Sequence, residues 1–137
     1  MSVWPKTLPV TPSLSTAEGD LVSVSIHVEP HYLESLLEAL ALVSFPINPQ
    51  IYHDAGLVYR YPDGHSETES ITLVEFPAYE VRLDEVRRAV QAYGFPPDCI
   101  HAIGMLDEIQ SGLQPEPAPE GASYLSRYRV KHRPAVV

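Results

Sequence analysis

The chain has 137 residues, of which 45% are hydrophobic, enough for one compact domain with its own core. Its 18 acidic and 9 Lys or Arg side chains give a formal net charge of −9, which disfavours nucleic acid as a partner. It contains 14 prolines, about twice the usual share. This composition excludes collagen-like, coiled-coil and wholly disordered chains.

The charge is distributed unevenly. Residues 124–137 contain four basic and no acidic side chains, whereas residues 1–123 contain five basic and all 18 acidic ones. The chain is therefore a body of net charge −13 with an end of +4. We expect this basic end to lie on the acidic body of its own or a neighbouring chain, and the alternative is a tail that binds nucleic acid or another anion.

One cysteine, Cys99, excludes an internal disulfide. The first residues contain no basic segment followed by an apolar run, as a secretory signal would. No stretch approaches the ~20 apolar residues of a membrane span. The expected location is the cytoplasm, with no membrane partner.

The first regular elements follow an arm, residues 1–20, in which proline, serine and threonine break any periodicity. Residues 21–28 alternate between apolar and polar side chains, which predicts a half-buried strand. Pro30 then suits the first turn of a helix. The helix shows one apolar stripe at positions i, i+3, i+4 and i+7: Leu33, Leu36, Leu37 and Leu40.

A hairpin and a second helix come next. Residues 47–61 and 65–76 read as two strands joined by a turn at Pro62-Asp63-Gly64. A second amphipathic stripe ends at Gly94, the expected C′ residue of that helix. Residues 100–106 predict the last core strand, and proline-rich residues 111–123 predict a linker. Tyr124 to Val130 has the alternation of a short edge strand.

The element order predicts a ferredoxin-like βαββαβ domain of the α+β class over residues 21–110. It follows the flexible arm 1–20 and precedes a Pro-rich linker and basic C-terminal segment, 111–137. Right-handed crossovers give a four-stranded antiparallel sheet of order 4-1-3-2 with both helices on one face. No helix remains for the second face, so we expect another subunit, in a homodimer or homotrimer, to cover it.

This topology brings three histidines towards one edge of the sheet. His27 ends the first strand, His31 opens the first helix and His101 begins the last strand, beside the first. Together with Glu29 they form the predicted ligand-binding set, because imidazole and carboxylate groups bind Zn, Ni or Cu. The three histidines are the candidate metal ligands, with a divalent metal as the candidate cofactor. The alternative is three ordinary surface or interface histidines.

Catalytic motifs are absent from the sequence: it has no Gly-x-Ser-x-Gly, Walker, Gly-x-Gly-x-x-Gly or Cys-x-x-Cys pattern. This favours a non-enzymatic oligomeric module that binds a small ligand or a metal in a regulatory role. One alternative is a small enzyme of the dimeric α+β-barrel kind, with His27 and His101 inside a cavity. The other is a structural module for protein interaction.

Two stretches resemble known families with this fold. Residues 21–51 resemble the opening of an ACT domain, with Glu29-Pro30-His31-Tyr32-Leu33 at the strand–helix turn and Phe45-Pro46-Ile47-Asn48 after the helix. The glycine that amino-acid-binding ACT domains usually place at this turn is absent, which argues against amino-acid binding there.

Residues 57–76 are similar to the long hairpin of the CutA and PII-like families. The matching residues are Val58-Tyr59-Arg60-Tyr61, Gly64, and Glu67 to Phe76 before a second helix. Those families form trimers and are linked to divalent metals or nucleotide ligands. The resemblance thus implies a trimer with a small ligand.

Overall fold

The computed structural model describes residues 15–16, 19–106 and 115–132. Most of the predicted arm, residues 107–114 and residues 133–137 lie outside the described residues. The described chain forms two helices, α1 (Leu33–Leu40) and α2 (Leu83–Ala92). Its strands are β1 (Ser15–Thr16), β2 (Gly19–Val28), β3 (Gln50–Arg60), β4 (Ser66–Tyr79), β5 (Ile100–Gly104), β6 (Glu116–Pro117) and β7 (Ser126–Val130).

The main core lies between the helices and one face of the sheet. The alternation in β2 points every second side chain towards α1 and α2, as predicted. These side chains are buried together with apolar residues from both helices: Val22, Val24, Ile26, Val28, Leu36, Leu40, Val86 and Val90. At the end of α2, Gly94 has φ +91 and the amide of Phe95 donates to the carbonyl of Val90, which confirms the predicted helix stop.

The sheet is antiparallel and larger than predicted. β5 pairs with β2, β2 with β4 and β4 with β3, which are the neighbours expected for the four core strands. The sheet then continues through β7 to β6, and β1 pairs with the start of β2. The prediction of a four-stranded sheet is therefore wrong in strand number and overall order, because the C-terminal segment adds to the free edge of β3.

The outer half of the β3–β4 hairpin is stabilised by the same chain. Gly56 to Arg60 pair with Val130 to Ser126 of β7, and the amide of Leu125 donates to the carbonyl of Arg60 at 2.7 Å. A two-stranded hairpin is marginal by itself, and a third strand supplies the missing support. The sequence predicted a short edge strand at Tyr124 to Val130 but not its partner, which is β3.

The second face of the sheet is curled inwards. Arg127 and Arg129 of β7 donate to the carbonyls of Asp98 and Cys99, immediately before β5, at 2.8 and 3.2 Å. These bonds connect β7, near one end of the sheet, to the residues just before β5, at the other end. The curled sheet encloses an apolar cluster whose residues are at most 2% exposed: Ala55, Leu57, Ile71 and Leu73. The interpretation that another subunit must cover this face is wrong here, because the single chain buries it. Self-association stays a prediction.

None of the helices in the described part of the chain is both long enough and apolar enough to cross a membrane.

Candidate functional site

A buried ion cluster lies where the two ends of the curled sheet meet. Arg129 Nη1 donates to Glu116 Oε2, and Arg127 Nε lies 3.4 Å from Glu116 Oε1. The side chains of Arg129, Arg127 and Glu116 are 6%, 9% and 12% exposed. One carboxylate thus binds two desolvated guanidinium groups, and each ion depends on the others for compensation.

His27 is part of this cluster. Arg129 Nη2 donates to His27 Nδ1 at 2.8 Å, so the ring is neutral and carries its proton on Nε2. Burial, followed by the positive charges of Arg129 and Arg127, lowers the pKa of His27 to about 3. At neutral pH this imidazole is therefore uncharged and too weak a base to take up a proton.

His101 reaches the cluster from β5. Its Nδ1 lies 3.7 Å from Glu116 Oε1, and burial lowers its pKa although the charge of Glu116 acts in the opposite direction. In the sheet register His101 of β5 lies opposite Ser25 of β2. Ser25 and His27 are two residues apart in β2, so His101 and His27 lie on the same face of the sheet but are not paired. The two histidines are therefore not direct cross-strand partners, and Arg129 and Glu116 connect them.

The depressed pKa of His27 predicts a pH-dependent stability. In the unfolded chain His27 protonates near its ordinary pKa of 6.5, whereas in the folded chain it protonates only near 3. As pH falls below 6.5, the unfolded state therefore binds a proton that the folded state does not bind. The free energy of unfolding falls by about 2 kcal/mol between pH 6.5 and 5 as a result. Urea unfolding of the wild type and of His27→Gln at pH 6.5 and pH 5 measures this loss of stability.

The variant should lack this part of the pH dependence. The exposed His31 supplies the matched control, since His31→Gln removes the same kind of group from the surface. Equal slopes for wild type and His27→Gln would contradict the buried, neutral state of His27.

A half-open pocket of about 500 Å³ adjoins the cluster. It lies between the end of β2, the start of α1 and the loop from α2 to β5. Three aromatic residues form much of its wall, Tyr32, Tyr93 and Phe95, and the rings of Tyr32 and Phe95 meet edge to face with centroids 6.4 Å apart. Aromatic walls with a few polar groups are typical of sites for small planar molecules.

The polar groups of this pocket are acidic or neutral. Glu29 and Glu69 line it together with the neutral ring of His27. None of the described lining residues is a lysine or arginine. Because Nδ1 accepts from Arg129, the only nitrogen of His27 that remains for a ligand is Nε2, which donates. The pocket thus offers carboxylate acceptors and one N–H donor, a set that suits neutral or positively charged ligands.

The structure separates the four predicted site residues. His27 and Glu29 line the pocket, whereas His101 belongs to the ion cluster and does not line it. His31 is exposed, and its ring lies against Tyr32 with centroids 4.1 Å apart. Ligand binding at His27 and Glu29 stays a prediction.

The described residues do not bring His27, His31 and His101 together as the predicted metal site requires. Within the described ranges no three His, Cys, Asp or Glu side chains are grouped so that they could hold a metal ion. His27 Nδ1 already accepts a hydrogen bond from Arg129, so this nitrogen is not available to a metal ion.

Cys99 also lines the pocket but is held in its thiol form. The residue is 2% exposed, and burial raises the pKa of its thiol to about 11. Since the thiolate is the reactive form, Cys99 is a poor nucleophile at neutral pH.

Sequence reasoning missed the residues that organise this site. The basic end, 124–137, was recognised, but Arg127 and Arg129 were expected to lie on an acidic surface and not inside the sheet. Glu116 falls in a stretch that composition assigns to a linker. The one available signal was the alternation of Tyr124 to Val130, which places Arg127 and Arg129 together on one face of a strand.

Comparison with known proteins yields little. No known protein family matches the chain, and no curated protein is significantly similar to it in sequence. Among solved structures, the GlnK–ATP complex of B. subtilis, a PII protein, is similar with a TM-score of 0.38 and 19% identity, over 61% of this chain and 84% of that chain. This level of similarity assigns neither a family nor a ligand.

Proposed function

We propose that this chain is a small-ligand-binding module with a regulatory and not a catalytic role. Its ligand is planar and neutral or positively charged, and it binds in the pocket at the end of β2. The observation that supports the proposal is a pocket lined by three aromatic side chains together with two carboxylates, Glu29 and Glu69. A cation close to a tyrosine or phenylalanine face gains cation–π attraction in addition to its carboxylate contacts.

The protonation states of the pocket support binding without turnover. A general base needs a pKa near the working pH, and the pKa of His27, about 3, is far below it. A nucleophilic cysteine needs a lowered pKa, and that of Cys99 is raised to about 11. The imidazole of His27 and the thiol of Cys99 are therefore both in inactive forms at neutral pH.

Three indoles that differ mainly in charge test the ligand class: tryptamine, which is cationic, tryptophol, which is neutral, and indole-3-acetate, which is anionic. We expect tryptamine to bind best and indole-3-acetate worst, because the pocket carboxylates attract the first and repel the last. Backbone amide chemical shifts followed by NMR give both the affinity and the location of binding.

Three variants, one of them a control, define the site in the same titrations. Tyr32→Ala should weaken tryptamine binding, whereas Leu42→Ala removes an exposed apolar side chain that does not line the pocket and should have no effect. Glu29→Gln should reduce the preference for tryptamine over tryptophol. Failure of all three indoles to shift the pocket amides, or a preference for indole-3-acetate, would reject the proposal.

The homodimer or homotrimer predicted from the sequence is a separate proposal. Size-exclusion chromatography with light scattering tests it, and a monomer at micromolar concentration would reject it.

A further inference from the structure

Two walls of the pocket are held by residues that do not line it. Both contacts come from β7, in the C-terminal segment, here residues 115–132. Arg129 Nη2 donates to His27 Nδ1 at 2.8 Å and to the carbonyl of Cys99 at 3.2 Å. Arg127 Nη2 donates to the carbonyl of Asp98 at 2.8 Å. One segment therefore fixes both the end of β2 and the loop before β5.

The contact with His27 determines what the pocket presents to a ligand. A neutral imidazole exists as two tautomers, and the hydrogen bond made by one nitrogen decides which nitrogen carries the proton. With Arg129 donating to Nδ1, the proton is on Nε2 and the ring is held in one orientation. Without Arg129 the ring is free to exchange tautomers and to rotate.

The contacts with the loop hold the opposite wall. Phe95, Pro96 and Cys99 line the pocket in the stretch that leads into β5. The backbone carbonyls of Asp98 and Cys99 in this stretch accept hydrogen bonds from Arg127 and Arg129. The distance between this wall and the end of β2 therefore depends on β7. Both arginines are in turn bound by Glu116 of the same segment.

Among the described strands, pairing joins the C-terminal segment to the rest of the sheet at one edge only. β7 pairs with β3 over five residues, and β6 contributes two more residues that pair only with β7. Short edge strands of this kind open more readily than the central strands. Opening of this edge would remove the contacts that Arg129 and Arg127 make with the pocket walls.

We propose that docking of the C-terminal segment switches the pocket into its binding form, with Arg129 as the positioning residue that orients His27. This inference rests on the proposed function, because it concerns the regulation of the same pocket. Release of the segment gives a protein that still folds around its main core but binds the ligand more weakly. By linkage, a ligand in the pocket stabilises the docked segment by the same factor.

Arg129→Lys and Arg127→Lys are the matched variants, since both replace a buried guanidinium in β7 and only Arg129 contacts His27. We expect Arg129→Lys to weaken tryptamine binding about 5- to 10-fold, and Arg127→Lys, which loosens only the contact with the loop before β5, to weaken it about 2- to 3-fold. In the absence of ligand, the nitrogen resonances of the His27 ring should show a mixture of tautomers in Arg129→Lys and one tautomer in Arg127→Lys. Equal affinities and equal His27 spectra in the two variants would overturn the proposal.

Wild-type protein supplies a test that does not depend on how the variants fold. Saturating tryptamine should slow amide hydrogen exchange in β7, about 5-fold or more, with little change in β1, which lies away from the pocket. If tryptamine binds in the pocket and exchange in β7 is unchanged, the regulatory inference is wrong and the proposed function stands. If tryptamine does not bind wild type at all, the proposed function itself is wrong.

Discussion

Glu116→Gln is expected to lower the free energy of unfolding by about 3–5 kcal/mol, the cost of removing one partner from a buried ionic group. The carboxylate binds Arg129 and Arg127, whose side chains are 6% and 9% exposed. Glutamine fills nearly the same volume but removes the carboxylate charge from both guanidinium groups, and among the described residues only Arg127 keeps a second carboxylate, the exposed Asp98 at 3.9 Å. Urea denaturation followed by circular dichroism measures the loss.

Glu120→Gln is the matched control, because Glu120 is an exposed glutamate of the same C-terminal segment. It should change the free energy of unfolding by less than about 0.5 kcal/mol. A similarly small effect of Glu116→Gln would mean that the cluster is hydrated in solution and that the ends of the sheet are not joined as described.

Leu57→Ala is expected to cost about 2–5 kcal/mol, because it leaves a cavity in the cluster inside the curled sheet. Leu57 has no exposed surface, and it packs with Ala55, Ile71 and Leu73 on the second face. The loss should not depend on protein concentration, since the face is buried within one chain. Urea unfolding at two protein concentrations tests both points.

Leu125→Ala makes the same chemical change at a side chain that is 60% exposed, and it should be nearly neutral. An effect of Leu57→Ala that grew or vanished with protein concentration would instead indicate that a second subunit covers this face.

The parts of the fold that local patterns determine could be predicted. The alternation in β2 and the apolar stripes of α1 and α2 report directly which side chains face the core. Gly94 was placed correctly because few other residues adopt the positive φ that a helix end of this kind requires. From these elements the neighbours of the four core strands follow.

Pro77 shows where a local rule fails. A proline cannot donate to a β-ladder, and the strand predicted over residues 65–76 ends just before it, but β4 continues to Tyr79. β3 begins opposite Glu75, so at Pro77 the strand has only β2 as a neighbour. A strand with one neighbour tolerates a proline more readily than one paired on both sides, and the local sequence does not show where the second neighbour begins.

The candidate site was predicted only in part. His27 and Glu29 follow from the end of β2, and their position at one edge of the sheet is a consequence of topology. Glu116 could not be found, because its role depends on a pairing across a curled sheet with residues far away in sequence. Local composition around Glu116 is that of a linker, and the signal of a two-residue strand is too short to detect.

The NMR spectrum of the His27 ring nitrogens at pH 5 tests the central claim most directly. We predict one protonated and one unprotonated nitrogen at this pH, because Arg129 donates to Nδ1 and the pKa of His27 is lowered to about 3. His65 provides an internal reference, since its hydrogen bonds to Asp63 and Glu67 raise its pKa and both its nitrogens should be protonated. Two protonated nitrogens on His27 at pH 5 would contradict the account.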